Sequence, residues 1–308
     1  MRIGLQIPNF TFDGPEDQIF DHVSALAEAA EGSGFDSVWV MDHFYQLPAL
    51  GGPDKPMLEA YTTLGAIAAR TARVKLGALV GGVTYRNPSL VAKAATTLDV
   101  ISKGRAILGL GAAWYDVEHE GLGFDFPPVR ERMDRLEEAV QIIRAMFREE
   151  APSFDGRHYR IKEARNVPRP IQAGGPPIMI GGGGERRTLR LVAEHADICN
   201  LFGDPETIRH KLDVLRRHCG EVGRDDGEIL KSRLATLILL DTDEQAAATR
   251  EQMKRVTARG TSWSVGTEKE ILLQIEELQE AGIEYFIFNL PFGGPEAVRR
   301  AGELLSSR

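Results

Sequence analysis

Cysteine is scarce in this chain: Cys199 and Cys219 are its two. Two cysteines make neither a disulfide framework nor a zinc cluster. Histidines number seven. His43, His119 and His158 stand at no metal-like spacing, and no His-x-His follows the first apolar run, which argues against a metal-dependent hydrolase. Long apolar runs are lacking too. The stretch that opens Met1-Arg2-Ile3-Gly4 is stopped by Pro8-Asn9, too soon for a signal-peptide core or a bilayer span. Basic charge is not in excess: 37 Lys and Arg face 45 Asp and Glu, a formal charge of -8. That balance suits neither nucleic acid nor anionic membrane as a partner, although a local basic spot can still bind a small anion. What these absences leave is a soluble, cytoplasmic protein acting on a small molecule.

What is present is a regular alternation. The 308 residues are 43% hydrophobic and 27% charged, an ordinary globular balance. Short β-branched runs begin at Ile3, Ser37, Val74, Arg105, Pro177, Asp197, Arg233 and Glu284. Amphipathic helical stretches follow most of them, the first with Val23, Leu26, Ala27 and Ala30 on one face. Further helices are expected over 58–71, 88–101, 185–194, 205–220, 243–258 and 267–281, and from Pro295 to the end. Continuous apolar strands mean burial on both faces, as in a parallel sheet. Eight βα units predict a (β/α)8 TIM barrel forming a single domain over 1–308, with an open doubly wound sheet as the rival. Residues 112–176 break the rhythm. They hold one clear helix, about 130–147, and are too thin to own a core, so they read as an insertion after strand four.

In a barrel the chemistry lies where the strands end. Those ends carry Asn9, Asp42-His43, Val80-Gly81-Gly82, Gly111 with Trp114, Gly181-Gly182-Gly183-Gly184, Asn200-Leu201-Phe202, Asp241 and Asn289. No lysine is among them, which speaks against a Schiff-base aldolase, and no three carboxylates could hold magnesium. The apolar, glycine-rich, aromatic remainder suits a flat cofactor that brings its own reactivity. Four glycines leaving a strand let backbone N–H groups approach an anion at a helix N-terminus; the alternative is a flexible turn. His43 is the one histidine at an expected strand end. It is either a proton-exchanging group at the mouth or a surface residue beside a turn capped by Asp42.

The landmarks Val38-Trp39-Val40-Met41-Asp42-His43, Tyr85-Arg86-Asn87-Pro88, Gly104 through Tyr115, Phe154-Asp155-Gly156-Arg157-His158-Tyr159 and Pro176 through Gly184 together resemble the bacterial luciferase-like superfamily. They are most similar to its branch that uses the deazaflavin coenzyme F420. The resemblance spans nearly the whole chain. It implies a barrel with the cofactor across its mouth and a non-proline cis peptide near Leu79-Val80 behind the ring. It also implies His43 at the ring's reactive edge as the catalytic residue, and the cofactor phosphate on Gly181, Gly182, Gly183 and Gly184. Asp42 and Glu185 complete the implied cofactor contacts, with Asn9, Trp114 and Phe202 lining the substrate pocket. Family members are often dimers, so a homodimer is expected.

One departure bears on the substrate. In the glucose-6-phosphate dehydrogenases of this superfamily a glutamate follows the fourth strand as a proton carrier, and Trp114 takes the comparable place here. The resemblance therefore implies an oxidoreductase passing hydride between F420 and a small, fairly apolar organic substrate. Glu118, four residues on, could substitute only if its loop turns it inward. An FMN-dependent monooxygenase and a barrel that binds a ligand without turnover stay open as alternatives.

Overall fold

The computed structural model describes residues 1–256 and 262–306. In chain order its first half holds β1 (Arg2–Ile7), α1 (Ile19–Gly32), β2 (Ser37–Val40), α2 (Ala60–Arg70), β3 (Lys75–Ala78), β4 (Gly81–Gly82), α3 (Pro88–Ile101) and β5 (Leu108–Gly111). The insertion holds α4 (Asp116–Leu122), α5 (Val129–Arg148), β6 (Phe154–Asp155) and β7 (Arg160–Ile161). The second half holds β8 (Ile178–Gly181), α6 (Thr188–His195), β9 (Ile198–Leu201), α7 (Pro205–Val222), β10 (Leu230–Leu239), α8 (Asp243–Val256), β11 (Trp263–Gly266), α9 (Glu268–Glu280), β12 (Tyr285–Asn289) and α10 (Pro295–Ser306).

Parallel pairing runs β3-β2-β1-β12-β10-β9-β8-β5-β4. The ring closes where β3 meets the start of the fourth unit. Leu76 N–H donates to the Arg105 carbonyl at 2.9 Å, and Ile107 N–H donates to the Leu76 carbonyl at 2.8 Å. Between that contact and the β4–β5 pairing lies the Leu79–Val80 peptide, which is cis, where the resemblance put it. This is the expected (β/α)8 barrel. Trp39, Leu79, Ile107, Met179, Ile198, Tyr285 and Ile287 fill its interior below the mouth. A second, larger cluster lies between the barrel and its helices. The stripe read from the sequence, Val23, Leu26, Ala27 and Ala30, buries there, as do Leu136, Val140, Ile143 and Phe147 of α5. Helix starts follow their chemistry: Asn87 and Asp204 cap α3 and α7 with side-chain oxygens, each followed by proline at the first helical position.

Three differences have physical causes. The helix expected from Glu185 begins at Thr188. Residues 185–187 form a turn tied to α7: the Glu185 carboxylate accepts from Lys211 and His210, and its carbonyl accepts from His218 Nε2. The insertion carries the extra helix α4, whose buried residues are Glu118 and His119, so no apolar stripe announces it. The strand β11 is also new, and it pairs with the far end of β10, Thr236 to Leu239. The last two residues of the helix expected over 243–258 lie outside the described residues. Among the described residues no helix is long and apolar enough to cross a membrane.

Candidate active site

The segment after β2 turns its two polar residues to opposite sides. Asp42 is buried beneath Arg86: its Oδ2 accepts from Arg86 Nη1 at 2.8 Å and from Gly82 N–H at 3.1 Å. The other Arg86 nitrogen reaches Glu59 at 2.6 Å, and the guanidinium lies 5.0 Å over the Tyr61 ring. Burial pushes the Asp42 carboxyl up, against the opposing pull of Arg86. Asp42 thus ties the β2 exit to the β4 turn from below.

His43 faces the other way. Its Nδ1 lies 2.7 Å from Glu118 Oε1. Glu118 is fully buried on α4, and each of its oxygens is used. Oε1 also accepts from the Tyr85 hydroxyl, and Oε2 accepts from the N–H groups of Phe44 and Tyr45 at 2.6 and 3.1 Å. Burial alone would raise this carboxyl; the hydrogen bonds from His43, Tyr85 and Phe44 outweigh it and hold it below the usual range. Burial and the bond to Glu118 push the Tyr85 hydroxyl up. His119, the next residue, is buried too. Its Nδ1–H donates to the Tyr115 carbonyl at 2.6 Å, Thr84 Oγ1 lies 2.7 Å from Nε2, and its ring stacks on Tyr85. Glu118 is therefore turned inward, but it stands behind His43.

Trp114 is 62% exposed. It stacks on Tyr115 with centroids 5.3 Å apart and meets His43 edge-on at 5.6 Å, so it walls the histidine at the mouth. Phe202 is half-buried at the end of β9. Asn9 is committed to the scaffold: its amide donates to the Pro291 carbonyl at 2.9 Å, and its Oδ1 accepts from Thr11 N–H.

The glycine loop leaves β8 on the same face of the barrel. Gly182 has φ +122°, a conformation that strains any L side chain. A Cβ at Gly183 would meet only the Lys211 side chain, at 3.7 Å, so an anion can approach the backbone. Lys211, which sequence reasoning missed, lies 2.5 Å from Glu185 Oε1 and places a cation beside the loop. The cis peptide is held from two sides. The Val80 side chain packs against Gly111 and against Gly181 at the start of the loop, and the Gln6 amide of β1 donates to the Leu79 carbonyl at 3.2 Å. Tyr85 and Arg86 stood in a quoted landmark, but nothing in the sequence assigned them partners.

A relative from Kineococcus radiotolerans, an F420-dependent glucose-6-phosphate dehydrogenase, is 39% identical over 296 residues, 86% of each chain. An F420-dependent secondary alcohol dehydrogenase, solved with an F420–acetone adduct, superposes with a TM-score of 0.81 at 21% identity, covering 100% of this chain and 99% of the other. The EDTA monooxygenase of Chelativorans sp. BNC1 gives 0.84 at 14%, covering 100% and 92%. These two share the fold. The family described as luciferase-like monooxygenase matches residues 1–259, and the chain belongs to it.

Proposed function

We propose that the protein is an F420-dependent oxidoreductase that passes hydride between this cofactor and a small, fairly apolar organic substrate. The observation that carries the reading is the site itself: a histidine at the barrel mouth, backed by a buried carboxylate, with a glycine loop and a cation on the same face of the barrel. Relatives matched over 86% and 94% of this chain are F420-dependent glucose-6-phosphate dehydrogenases, which supports the cofactor.

The residues fit such a group. Gly181, Gly182, Gly183 and Gly184, with Lys211, would hold its phosphate. Leu79 and Val80 would back its ring. When bound, the deazaflavin supplies a carbon that accepts or returns a hydride. The chain's own work is to exclude water and move one proton, at His43 Nε2. Asp42 supports this segment through Arg86, and Glu185 supports the loop through Lys211. The apolar substrate class rests on Trp114, exposed beside His43 at the mouth.

A homodimer belongs to this reading. Leu90 and Ile101 on α3, with Val167 beside Lys93 and Ile171 beside Gly104, are exposed apolar side chains, and apolar surface of this kind suits an interface. Both cysteines are free and buried, which suits a reducing cytoplasm.

Titration with F420 and with FMN, following quenching of cofactor fluorescence, tests the proposal. Tighter binding of F420 supports it. Micromolar FMN binding with none of F420 would overturn it and favour a flavin monooxygenase.

A further inference from the structure

The buried carboxylate of Glu118 backs His43, and its surroundings define what it does there. An ionised carboxylate can only accept hydrogen bonds. Glu118 is buried, and four donors converge on it: His43, Tyr85 and the N–H groups of Phe44 and Tyr45. We propose that Glu118 is a positioning residue that selects the tautomer of His43, forcing the proton onto Nδ1 and leaving Nε2 at the mouth with its lone pair free.

Two consequences follow. Glu118 is not itself a proton carrier for the substrate, because both its oxygens are filled and His43 stands between it and the mouth. And the resting histidine is a proton acceptor. In the oxidising direction a substrate O–H bond breaks as an Nε2–H bond forms, while the neighbouring C–H electron pair leaves as the hydride that the cofactor accepts and a carbonyl results. The anionic Glu118 then balances the imidazolium. This chemical consequence rests on the F420 reading; the tautomer does not. It narrows the substrate class to small alcohols, or to the carbonyl compounds they become.

The decisive variant is Glu118→Gln, because an amide can satisfy the same four neighbours with the opposite outcome. Its oxygen accepts from Phe44 and Tyr45. Its NH2 group donates to Tyr85 and to His43 Nδ1, so Nδ1 must lose its proton and Nε2 must carry it. The measurement is the ¹⁵N NMR spectrum of the cofactor-free protein at mildly alkaline pH, with the His43 signals identified by their loss in His43→Ala. The wild type is expected to show a protonated Nδ1, and Glu118→Gln a protonated Nε2. Tyr85→Phe, which keeps the carboxylate, should retain the wild-type pattern. The Gln variant should lose about 100-fold in kcat for alcohol oxidation, with KM and F420 affinity within about threefold of wild type.

A wild-type His43 protonated on Nε2 would overturn the proposal without any variant. So would a folded Glu118→Gln with an unchanged tautomer or an unchanged kcat. Failure to bind F420 would instead overturn the cofactor reading and leave the tautomer result standing.

Discussion

The Val80 side chain occupies the space that Gly111 and Gly181 leave by having none. A Cβ on Gly111 would lie 2.8 Å from Val80 Cγ2, and one on Gly181 would lie 3.0 Å from it. Glycine is therefore favoured on two neighbouring strands by one valine in the turn between β3 and β4. Gly111→Ala should push Val80 out of place, and overpacking of this kind costs roughly 1–3 kcal/mol. Val80→Ala removes both methyl groups and should restore part of that loss. Urea unfolding of the two single variants and the double variant checks it, with a favourable coupling of about 0.5 kcal/mol or more expected. Strict additivity would mean that the contact does not constrain the strands.

The glycines of the β8 exit differ from those of the barrel wall. At Gly183 a side chain has room, with Lys211 the sole neighbour at 3.7 Å, whereas at Gly109 a Cβ would lie 2.2 Å from the Ala78 carbonyl. Gly183→Asp should therefore leave the thermal melt near wild type while weakening F420 binding ten-fold or more, because a carboxylate would face the cofactor phosphate. Gly109→Ala should do the reverse of the first part and lower Tm. Thermal melts and fluorescence titrations on the same two proteins separate the effects.

His43→Ala should lower turnover by about 10²–10⁴, the usual worth of general acid–base help, with cofactor affinity changing much less. Steady-state kinetics beside a cofactor titration decide between roles. Loss of binding with normal turnover of the bound fraction would make His43 a binding residue.

The barrel was legible because its strands are buried on both faces and its helices keep one apolar stripe, as Val23 through Ala30 and Leu136 through Phe147 do. His43 was legible because it sits where a strand ends. Its partner was not. Glu118 lies 75 residues away from His43, on a seven-residue helix whose buried side is a glutamate and a histidine, and periodicity has nothing to detect there. Arg86 was hidden for a related reason. Its value lies in joining Asp42 and Glu59, the two ends of the loop from β2 to α2, a relation that exists only once the second and third units have packed together. The turn at 185–187 was read as helix because its competing contacts come from α7, outside the local window.

Arg86 also sets a stability prediction. It pairs with buried Asp42 through one nitrogen and with Glu59 through the other. Arg86→Met removes the partner and leaves the Asp42 carboxylate buried with only the Gly82 N–H, a change that typically costs about 3–5 kcal/mol. Arg86→Lys should rescue little, since one ammonium cannot reproduce a two-pronged contact. The pH dependence has a defined sign. Burial already pushes Asp42 up, and without Arg86 the folded protein favours the protonated acid further. The deficit of Arg86→Met relative to wild type should therefore shrink as pH falls. Urea unfolding across a pH series checks this, and a deficit that grows on acidification would show that Arg86 is not stabilising an ionised Asp42.

The Glu118 carboxyl is shifted the opposite way from Asp42, down instead of up. Although burial opposes it, the bonds from His43, Tyr85 and Phe44 hold its folded-state carboxyl below the ordinary value of 4.5. A carboxyl lowered in the folded state contributes stability that is fully present above its unfolded value and is lost as pH falls through the folded one. The contribution should thus be intact at neutrality and should fade below about pH 4.5. Glu118→Gln has no proton to take up there. Its stability curve should lack this component, so the gap between wild type and variant should narrow as the solution is made acid. The same argument applies to Glu59, lowered by Thr62 and Arg86 against burial, so a Glu118 variant removes only part of the acid limb. The measurement is urea unfolding of both proteins between neutrality and the onset of acid denaturation. A constant gap would mean that Glu118 carries the same proton in the folded and unfolded chain, and the picture of an anionic carboxylate behind His43 would fall with it.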